Sequence, residues 1–217
     1  MSSHYCETVG RTIFVVTHPE ATHHVDGLVG GWHDSDLTPR GLQDADVIAQ
    51  ALANELHGVV DTEVFSSDSL RARRTAEPVA AALGTEAVFD RRLREKSYGA
   101  AEGRPQRWLD ERFVVPPITG DRMAHDEGVP GAETKADFAA RIYEAMNMIL
   151  GMPAEHQVIV THGFALTFVV AAWIKMPLSS LGYVNFPTRP GSITTLYEDD
   201  YFHNRQVLML ASTRHLV

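Results

Sequence analysis

Two short β-branched runs that each end in Thr-His constrain the fold more than any other feature of this chain. Residues 14–17 are followed by His18, and residues 158–161 are followed by His162. Continuous apolar runs of this length, bounded by polar residues, predict buried strands. In an open α/β sheet, ligands bind beyond the carboxyl ends of the strands. The two imidazoles are therefore predicted to lie at the same edge of one sheet.

Segments of helical periodicity alternate with the predicted strands. One helix begins at Thr38-Pro39, with threonine as N-cap and proline as the first helical residue, and ends at Gly58. Further helices are predicted at residues 67 or 68 to 83, 133–150 and 163–173, and further strands at residues 64–66, 87–89, 193–196 and 207–211. This alternation predicts an α/β fold, a three-layer sandwich whose mostly parallel central sheet is flanked by helices. No repeat or linker divides the chain, so we expect residues 1–217 to form a single domain.

Two long segments show no regular pattern. Residues 19–36 are predicted to be a loop, and residues 103–130 are rich in proline and glycine, with one short helix expected near Trp108. Irregular segments of this length often serve as lids or specificity loops. We therefore expect an excursion at about residues 103–132 to shape the choice of substrate, together with residues 182–191.

The composition limits the classes of partner. The chain has 217 residues, a formal net charge of −9 and a single cysteine, Cys6. The negative charge argues against a nucleic-acid or anionic-membrane partner, and one cysteine rules out a disulfide framework within the chain. The N-terminus lacks a basic region followed by an apolar one, so we expect no signal peptide and a cytoplasmic location. The sequence leaves open whether the chain is a monomer or a homodimer.

Several residues have side chains suited to phosphoryl chemistry. A neutral imidazole such as His18 can attack phosphorus, and the helix that begins after His162 presents an N-terminus that favours anions. The carboxyl of Glu95 could protonate a leaving alkoxide. Seven of the nineteen Lys and Arg residues surround Glu95 in sequence: Arg71, Arg73, Arg74, Arg91, Arg92, Arg94 and Lys96. The same residues could instead be structural histidines and surface ion pairs, which is the usual role of such side chains.

The histidines could instead bind a metal ion. Imidazole and carboxylate suit zinc, manganese or iron. The candidate ligands lie in one stretch: His18, His23, His24, Asp26, His33, Asp34 and Asp36. Their spacings match no ligand motif, so we predict that the chain binds no metal.

Five blocks of the chain carry a family signature. Residues 17–20 (Thr-His-Pro-Glu) and 31–41 resemble a strand ending Arg-His-Gly-Glu and a following Gly-Trp-x-Asp-x-x-Leu loop. Residues 66–76 resemble a Ser-x-Leu-x-Arg-Ala-x-x-Thr-Ala helix, residues 93–103 a Leu-x-Glu-x-x-x-Gly-x-x-Glu-Gly block, and residues 161–163 a second catalytic Thr-His-Gly. In this order the blocks resemble the histidine phosphatase superfamily, the phosphoglycerate mutase-like proteins.

The resemblance implies a mechanism and a set of site residues. His18 would attack phosphorus and form a phosphohistidine, Glu95 would be the general acid, and Arg71 and His162 would complete the catalytic set. Substrate contacts would come from Thr17, His24, Gly31, Tyr98 and the amide of Gly163. The resemblance implies neither a cofactor nor a metal, and it implies a small phosphorylated metabolite as the partner.

The resemblance favours the phosphatase branch, although two signature residues differ. The mutase branch has a longer basic insertion, whereas only 58 residues separate Gly103 from His162 here. Thr17 replaces the signature arginine and Pro19 replaces the glycine, so the site lacks one positive charge and one backbone N–H. Three explanations remain open: Arg73, Arg74, Arg94 or Lys96 supplies the charge, the substrate is less anionic, or the protein binds a ligand or partner without turnover. A phosphomutase is a weaker alternative.

Overall fold

The computed structural model describes residues 10–217, so Cys6 and the expectations for the N-terminus lie outside the described residues. Within that range, no helix combines the length and the apolar character needed to cross a membrane.

A six-stranded sheet forms the centre of the described structure. The spatial order of its strands is β3-β2-β4-β1-β5-β6. The first four in this order run parallel to one another, β5 runs antiparallel to β1, and β6 runs antiparallel to β5. In chain order the strands are β1 (Arg11–Thr17), β2 (Thr62–Ser66), β3 (Ala87–Phe89), β4 (His156–Thr161), β5 (Ile193–Glu198) and β6 (Arg205–Ser212).

Helices cover both faces of this sheet. In chain order they are α1 (Thr22–Val25), α2 (Pro39–Glu55), α3 (Leu70–Ala82), α4 (Gln106–Asp110), α5 (Lys135–Leu150) and α6 (Gly163–Trp173). Helices α5 and α6 pack on the face that carries Val15 and Ile159, while α2 and α3 pack on the face that carries Val16 and Val160. Successive strand residues point to opposite faces, which is why neighbours in sequence enter different cores. The predicted α/β fold with a mostly parallel sheet between helices is confirmed.

Two predicted elements begin at different residues from those expected. Helix α3 starts at Leu70 with Ser69 as its N-cap, whereas Ser67 or Asp68 was predicted as the cap; the hydroxyls of Ser67 and Ser69 contact His162, and neither side chain caps the helix. The carboxylate of Asp34 accepts a hydrogen bond from the Leu70 N–H and satisfies one orphan donor of that helix. The segment predicted as a loop at residues 19–36 contains the single turn α1.

The excursion at residues 103–132 is irregular apart from α4, but it is packed against the rest of the molecule. A small apolar cluster joins Leu109 and Val129 to Val29 and Ala101. A buried ion pair of 2.6 Å joins Lys96 Nζ to Glu127 Oε2. The excursion therefore forms a wall of fixed position near the carboxyl end of the parallel strands.

Candidate active site

His18 lies directly after β1 with its imidazole oriented by two hydrogen bonds. Nδ1 lies 2.8 Å from the carbonyl oxygen of Pro19 and donates to it, because a carbonyl can only accept. The other nitrogen, Nε2, is therefore the unprotonated one, and it accepts a hydrogen bond of 3.2 Å from Arg71 Nε. Burial, followed by the charge of Arg71, holds the pKa of His18 well below its usual range. The imidazole is neutral at pH 7, with a lone pair on Nε2.

His162 lies at the equivalent end of β4, where it is the N-cap residue of α6. The parallel register pairs Thr17 with Thr161 and so brings the His18 and His162 rings to 5.1 Å between centroids. Nε2 of His162 lies 2.9 Å from Ser67 Oγ, and its buried Nδ1 has no partner among residues 10–217. Burial is the main cause of a pKa well below the usual range, so this imidazole is also neutral.

Arg71 brings a buried positive charge into the first turn of α3. Its side chain is 1% exposed, and it donates to the carbonyl oxygens of His33 (2.8 Å) and Gly31 (2.6 Å). Burial lowers its pKa to about 10, partly offset by Glu95 and Asp34, so the guanidinium remains charged at neutral pH. Three of its five N–H groups are used, which leaves two for an incoming anion. Gly31 has a φ of +55°, a conformation that favours glycine at this contact.

Glu95 is held at the N-terminus of α6 by two backbone amides. Oε2 accepts from the Phe164 N–H and Oε1 from the Lys96 N–H, both at 2.9 Å. Burial raises the pKa of this carboxyl, although the two amides and the charge of Arg71 oppose that change. A raised pKa increases the fraction of protonated acid, the form that can donate a proton.

These groups surround a cavity of about 230 Å³, which we call the histidine cavity. It is lined by Thr17, His18, His23, His24, Gly31, Arg71, Glu95, Gly163, Thr188 and Pro190. Most residues predicted for the site are thus brought together. Tyr98 instead lines a neighbouring cavity, and His162 lies behind the wall, against His18.

The His24 ring lies beside His18, the predicted nucleophile. Its ring stacks on His18 with 5.6 Å between centroids and an interplanar angle of 14°. Nδ1 accepts a hydrogen bond of 3.2 Å from the Ala21 N–H, so the proton of the neutral ring is on Nε2. Burial, then the charge of Arg71, lowers the pKa of His24. This imidazole is therefore available as a neutral donor to a ligand oxygen.

The hydroxyl of Thr17 is engaged by a distant loop rather than by the cavity. Oγ1 donates to the carbonyl oxygen of Arg189 (2.8 Å) and accepts from the Ser192 N–H (3.1 Å). It also lies 3.0 Å from Ser192 Oγ. The residue in place of the signature arginine thus lines the cavity, but its polar atom binds the segment that precedes β5.

The four basic residues considered as replacements for the missing arginine are all engaged elsewhere. Arg94 forms two hydrogen bonds with Asp68, and Arg74 lies 3.5 Å from Asp36. Arg73 donates to the carbonyl oxygen of Asp68, and Lys96 pairs with Glu127. Among the residues lining the histidine cavity, Arg71 is the one Lys or Arg.

Sequence reasoning missed two contributions to the wall. Thr188 and Pro190 reach the cavity from the loop before β5, and a Cβ on Gly163 would lie 3.1 Å from Thr188 Oγ1. The run Pro-Thr-Arg-Pro-Gly at residues 187–191 indicates a turn, but it does not indicate that this turn lies against the histidine cavity. His23, considered only as a metal ligand, is fixed by a 2.7 Å contact between Nδ1 and Ser35 Oγ. Burial lowers its pKa to about 3.

The metal alternative lacks a suitable geometry. Within residues 10–217, no group of three or more His, Cys, Asp or Glu side chains is arranged to hold a metal ion. The nearby acidic residues are engaged with other partners: Asp34 accepts from the Leu70 N–H, and Asp36 from the Leu37 N–H.

We expect Thr17→Arg to lower the free energy of unfolding by about 2–4 kcal/mol. Thr17 is 2% exposed, so the larger side chain would overpack its surroundings and leave the Ser192 N–H without an acceptor. Denaturant unfolding measures the change. Thr17→Val, which replaces the hydroxyl with a methyl group of similar size, is the matched control and should lose about 1–3 kcal/mol. A Thr17→Arg protein as stable as the wild type would contradict this account of residue 17.

Known proteins resemble this chain over most of its length. A family model described as "Histidine phosphatase superfamily (branch 1)" matches residues 13–210, nearly the whole chain. The chain belongs to the histidine phosphatase superfamily. A protein of Yersinia pestis (strain Pestoides F), described as "Probable phosphoglycerate mutase GpmB", is 30% identical over 169 residues, which is 76% of this chain and 75% of that protein.

Solved structures of other proteins have a similar fold. Bacillus stearothermophilus YhfR is 27% identical, with a TM-score of 0.76 over 95% of this chain and 100% of its own. A mycobacterial glucosyl-3-phosphoglycerate phosphatase is 22% identical, with a TM-score of 0.72 over 94% and 100% of the two chains. The phosphoglycerate mutase-like fold inferred from the sequence blocks is therefore confirmed. The first histidine of the chain, His18, is flanked by Thr17 and Pro19.

Proposed function

We propose that this protein is a metal-independent phosphatase that hydrolyses a small organic phosphate monoester through a phosphohistidine. The observation that carries the proposal is the neutral His18, whose unprotonated Nε2 faces the buried guanidinium of Arg71. A neutral imidazole beside a fixed positive charge is suited to attack a phosphorus atom whose oxygens that charge binds. The cytoplasmic location expected from the sequence is retained as part of the proposal.

The first step transfers the phosphoryl group to His18. The lone pair on Nε2 attacks phosphorus in line with the leaving oxygen, the P–O bond to that oxygen breaks, and protonated Glu95 donates its proton to the alkoxide. Arg71 moves its Nε–H from His18 to a phosphoryl oxygen as the lone pair is used. The hydrogen bond from Nδ1 to the Pro19 carbonyl stabilises the positive ring that forms.

The second step returns the enzyme to its starting state. A water molecule gives a proton to the Glu95 carboxylate and attacks phosphorus, and the P–N bond breaks to release inorganic phosphate. In both steps the equatorial oxygens are bound by the free N–H groups of Arg71 and by the amide of Gly163, which begins the 11-residue helix α6. His24 adds a neutral donor through Nε2.

The histidine cavity is lined by a single Arg or Lys. This favours a substrate whose phosphate needs fewer fixed, positively charged contacts than the family signature provides. The loss of one preorganised donor typically lowers the rate of a transfer reaction by about 10²–10³. The same observation also fits a second candidate function, in which this protein binds a ligand or protein partner without turnover. The name of the Yersinia relative keeps a phosphomutase as a third candidate.

Trapping of the intermediate tests the proposal directly. We expect a panel of radiolabelled phosphorylated metabolites, quenched in alkali, to leave label on the protein that is stable to alkali and lost in acid. The label should be absent from His18→Ala and unchanged in His57→Ala, a control at an exposed histidine just past the end of α2. No label from any member of the panel, together with tight binding of one of them, would favour the candidate without turnover.

A further inference from the structure

The segment that precedes β5 ends in a tight turn at residues 189–192, with the sequence Arg-Pro-Gly-Ser. The carbonyl oxygen of Arg189 accepts from the Ser192 N–H at 3.1 Å, and Gly191 has a φ of +73°. Proline followed by a glycine of positive φ is typical of a type II turn. The Gly191 N–H also donates to the carbonyl oxygen of Thr17 at 3.1 Å. The backbone of the turn is therefore bound to the end of β1.

The backbone of Arg189 lies directly beside Thr17, the residue found where the family signature has an arginine. Thr17 Oγ1 donates to the Arg189 carbonyl oxygen at 2.8 Å. The residues on either side of Arg189 in sequence, Thr188 and Pro190, both line the histidine cavity. An arginine in another part of the chain is thus joined by a hydrogen bond to the position from which the signature arginine is missing.

The side chain of Arg189 lines a separate space of about 410 Å³, named here the Arg189 cavity. His24 and Pro190 line both this cavity and the histidine cavity. The two cavities therefore adjoin each other at His24, whose ring stacks on His18. Arg189 lies on the far side of that ring from the predicted nucleophile.

The guanidinium of Arg189 is not held by an acidic side chain. Arg189 is exposed, and among residues 10–217 it has no carboxylate within 4.0 Å. The acidic residues of the Arg189 cavity contact other partners, since Glu20 accepts from Thr38 Oγ1 at 2.7 Å and Asp44 lies 3.9 Å from Arg40. Movement of the Arg189 side chain to an anion would therefore break no ion pair.

We propose that Arg189 turns into the histidine cavity when a phosphomonoester binds, and that it donates to an oxygen of the reacting phosphate in place of the signature arginine. This inference rests on the proposed function, since it adds a substrate-binding residue to the same site. Arg71 binds the phosphate from α3, and Arg189 binds it from the turn before β5. Thr17 is the positioning residue, because its hydroxyl holds the backbone from which Arg189 extends.

A recruited arginine is a weaker contact than one fixed in advance. The exposed Arg189 side chain loses rotational freedom when it binds, whereas Arg71 is already held by the carbonyl oxygens of Gly31 and His33. The site therefore retains one fixed cation and gains a second one only with its ligand. Because the contact forms with the bound phosphate as well as with the transition state, its loss should change KM more than kcat.

Binding of inorganic phosphate tests the role of Arg189 without turnover. Arg189→Gln removes the charge and leaves the backbone hydrogen bonds of the turn in place. We expect it to raise the dissociation constant of phosphate by about tenfold, the scale of a hydrogen bond to a charged group. Arg40→Gln, at an exposed arginine that lines the same cavity, is the matched control and should change it by about twofold or less, because solvent and salt screen its charge. Isothermal titration measures both values.

Chemical rescue distinguishes a direct contact from a general effect of charge. Added methylguanidinium should recover phosphate affinity in Arg189→Ala and have no such effect in Arg40→Ala. Equal phosphate affinity in Arg189→Gln and the wild type would overturn the inference, and so would wild-type binding too weak to detect. An equal loss in Arg40→Gln would do the same.

Steady-state kinetics with a nitrophenyl phosphate separates failure of this inference from failure of the proposed function. We expect Arg189→Gln to raise KM by about tenfold with a smaller change in kcat. A wild type that hydrolyses no phosphomonoester, yet loses phosphate affinity in Arg189→Gln, would contradict the proposed function and support the assignment of Arg189. Hydrolysis with the same KM in both proteins would support the function and overturn the assignment.

Discussion

His18→Ala is expected to lower kcat for any phosphomonoester substrate by about 10⁴-fold or more, which is the typical scale for loss of a catalytic nucleophile. The residue carries the unprotonated Nε2 that faces Arg71, and the other histidines of the cavity are poorly placed to replace it. His24 has its proton on Nε2, and His23 is fixed on Ser35. Steady-state hydrolysis of an aryl phosphate, followed by phosphate release, measures the loss.

The control for this variant must separate chemistry from folding. His18 is buried, so His18→Ala is compared with the wild type by denaturant unfolding and by binding of inorganic phosphate. His18→Asn keeps a polar side chain of smaller size and should be equally inactive. Substantial turnover by a folded His18→Ala protein would rule out the phosphohistidine mechanism.

Glu95→Gln is expected to lower kcat by about 10²–10⁴-fold for alkyl phosphates, the usual contribution of a general acid. An alkoxide is a poor leaving group and needs the proton that glutamine cannot supply. The loss in kcat/KM, which reports the first step and not the hydrolysis of the phosphohistidine, should be much smaller for a nitrophenyl phosphate, whose phenolate departs without protonation. The comparison of alkyl with nitrophenyl substrates in the two proteins measures the role of this carboxyl.

The pH profile gives a second measure of Glu95. Because burial raises the pKa of this carboxyl, the protonated form that acts in the first step persists to a higher pH than for an exposed glutamate. Wild-type kcat for an alkyl phosphate should fall as pH rises through that raised pKa, and Glu95→Gln should lack this alkaline decline. Neutral His18 is already the reactive form, so it adds no decline on that side.

A suitable control changes the carboxyl without changing the fold. Glu95→Asp retains an acid but shortens its reach, and it should keep the pH dependence at a reduced rate. Glu133, which accepts from the Ser97 N–H and pairs with Arg141, offers a neighbouring carboxyl whose change to Gln should leave the profile shape intact. An unchanged profile in Glu95→Gln would remove this residue from the role of general acid.

The sequence predicts the parts of the site that depend on strand order and length. Thr17 and Thr161 end buried β-branched runs, and once these runs pair in parallel the histidines that follow must be neighbours. Arg71 and Glu95 follow from local motifs of a few residues. These features are encoded over short spans, so pattern and resemblance are enough to find them.

Other parts depend on contacts between segments far apart in the chain. The Thr17 hydroxyl is fixed by Ser192, 175 residues away, and no local sequence pattern predicts this contact. Tyr98 was expected to contact the substrate, and it lines a neighbouring cavity with Lys96 and Phe164 rather than the histidine cavity, a placement that depends on contacts distant in sequence. Ser67 and Ser69 contact His162 across about a hundred residues of sequence, and neither side chain caps α3. The position of each of these side chains depends on contacts with residues distant in sequence, which only the folded structure shows.

The pairing of Thr17 with Ser192 also bears on how such a site can change over evolutionary time. The Thr17 hydroxyl lies 3.0 Å from Ser192 Oγ and accepts from the Ser192 N–H, so loss of this hydroxyl leaves a buried amide without that acceptor. Arginine at position 17 would have to displace the loop that precedes β5, because the Thr17 side chain is buried against that loop. We therefore expect acceptance of arginine at position 17 to depend on substitutions in this loop, in a distant part of the gene.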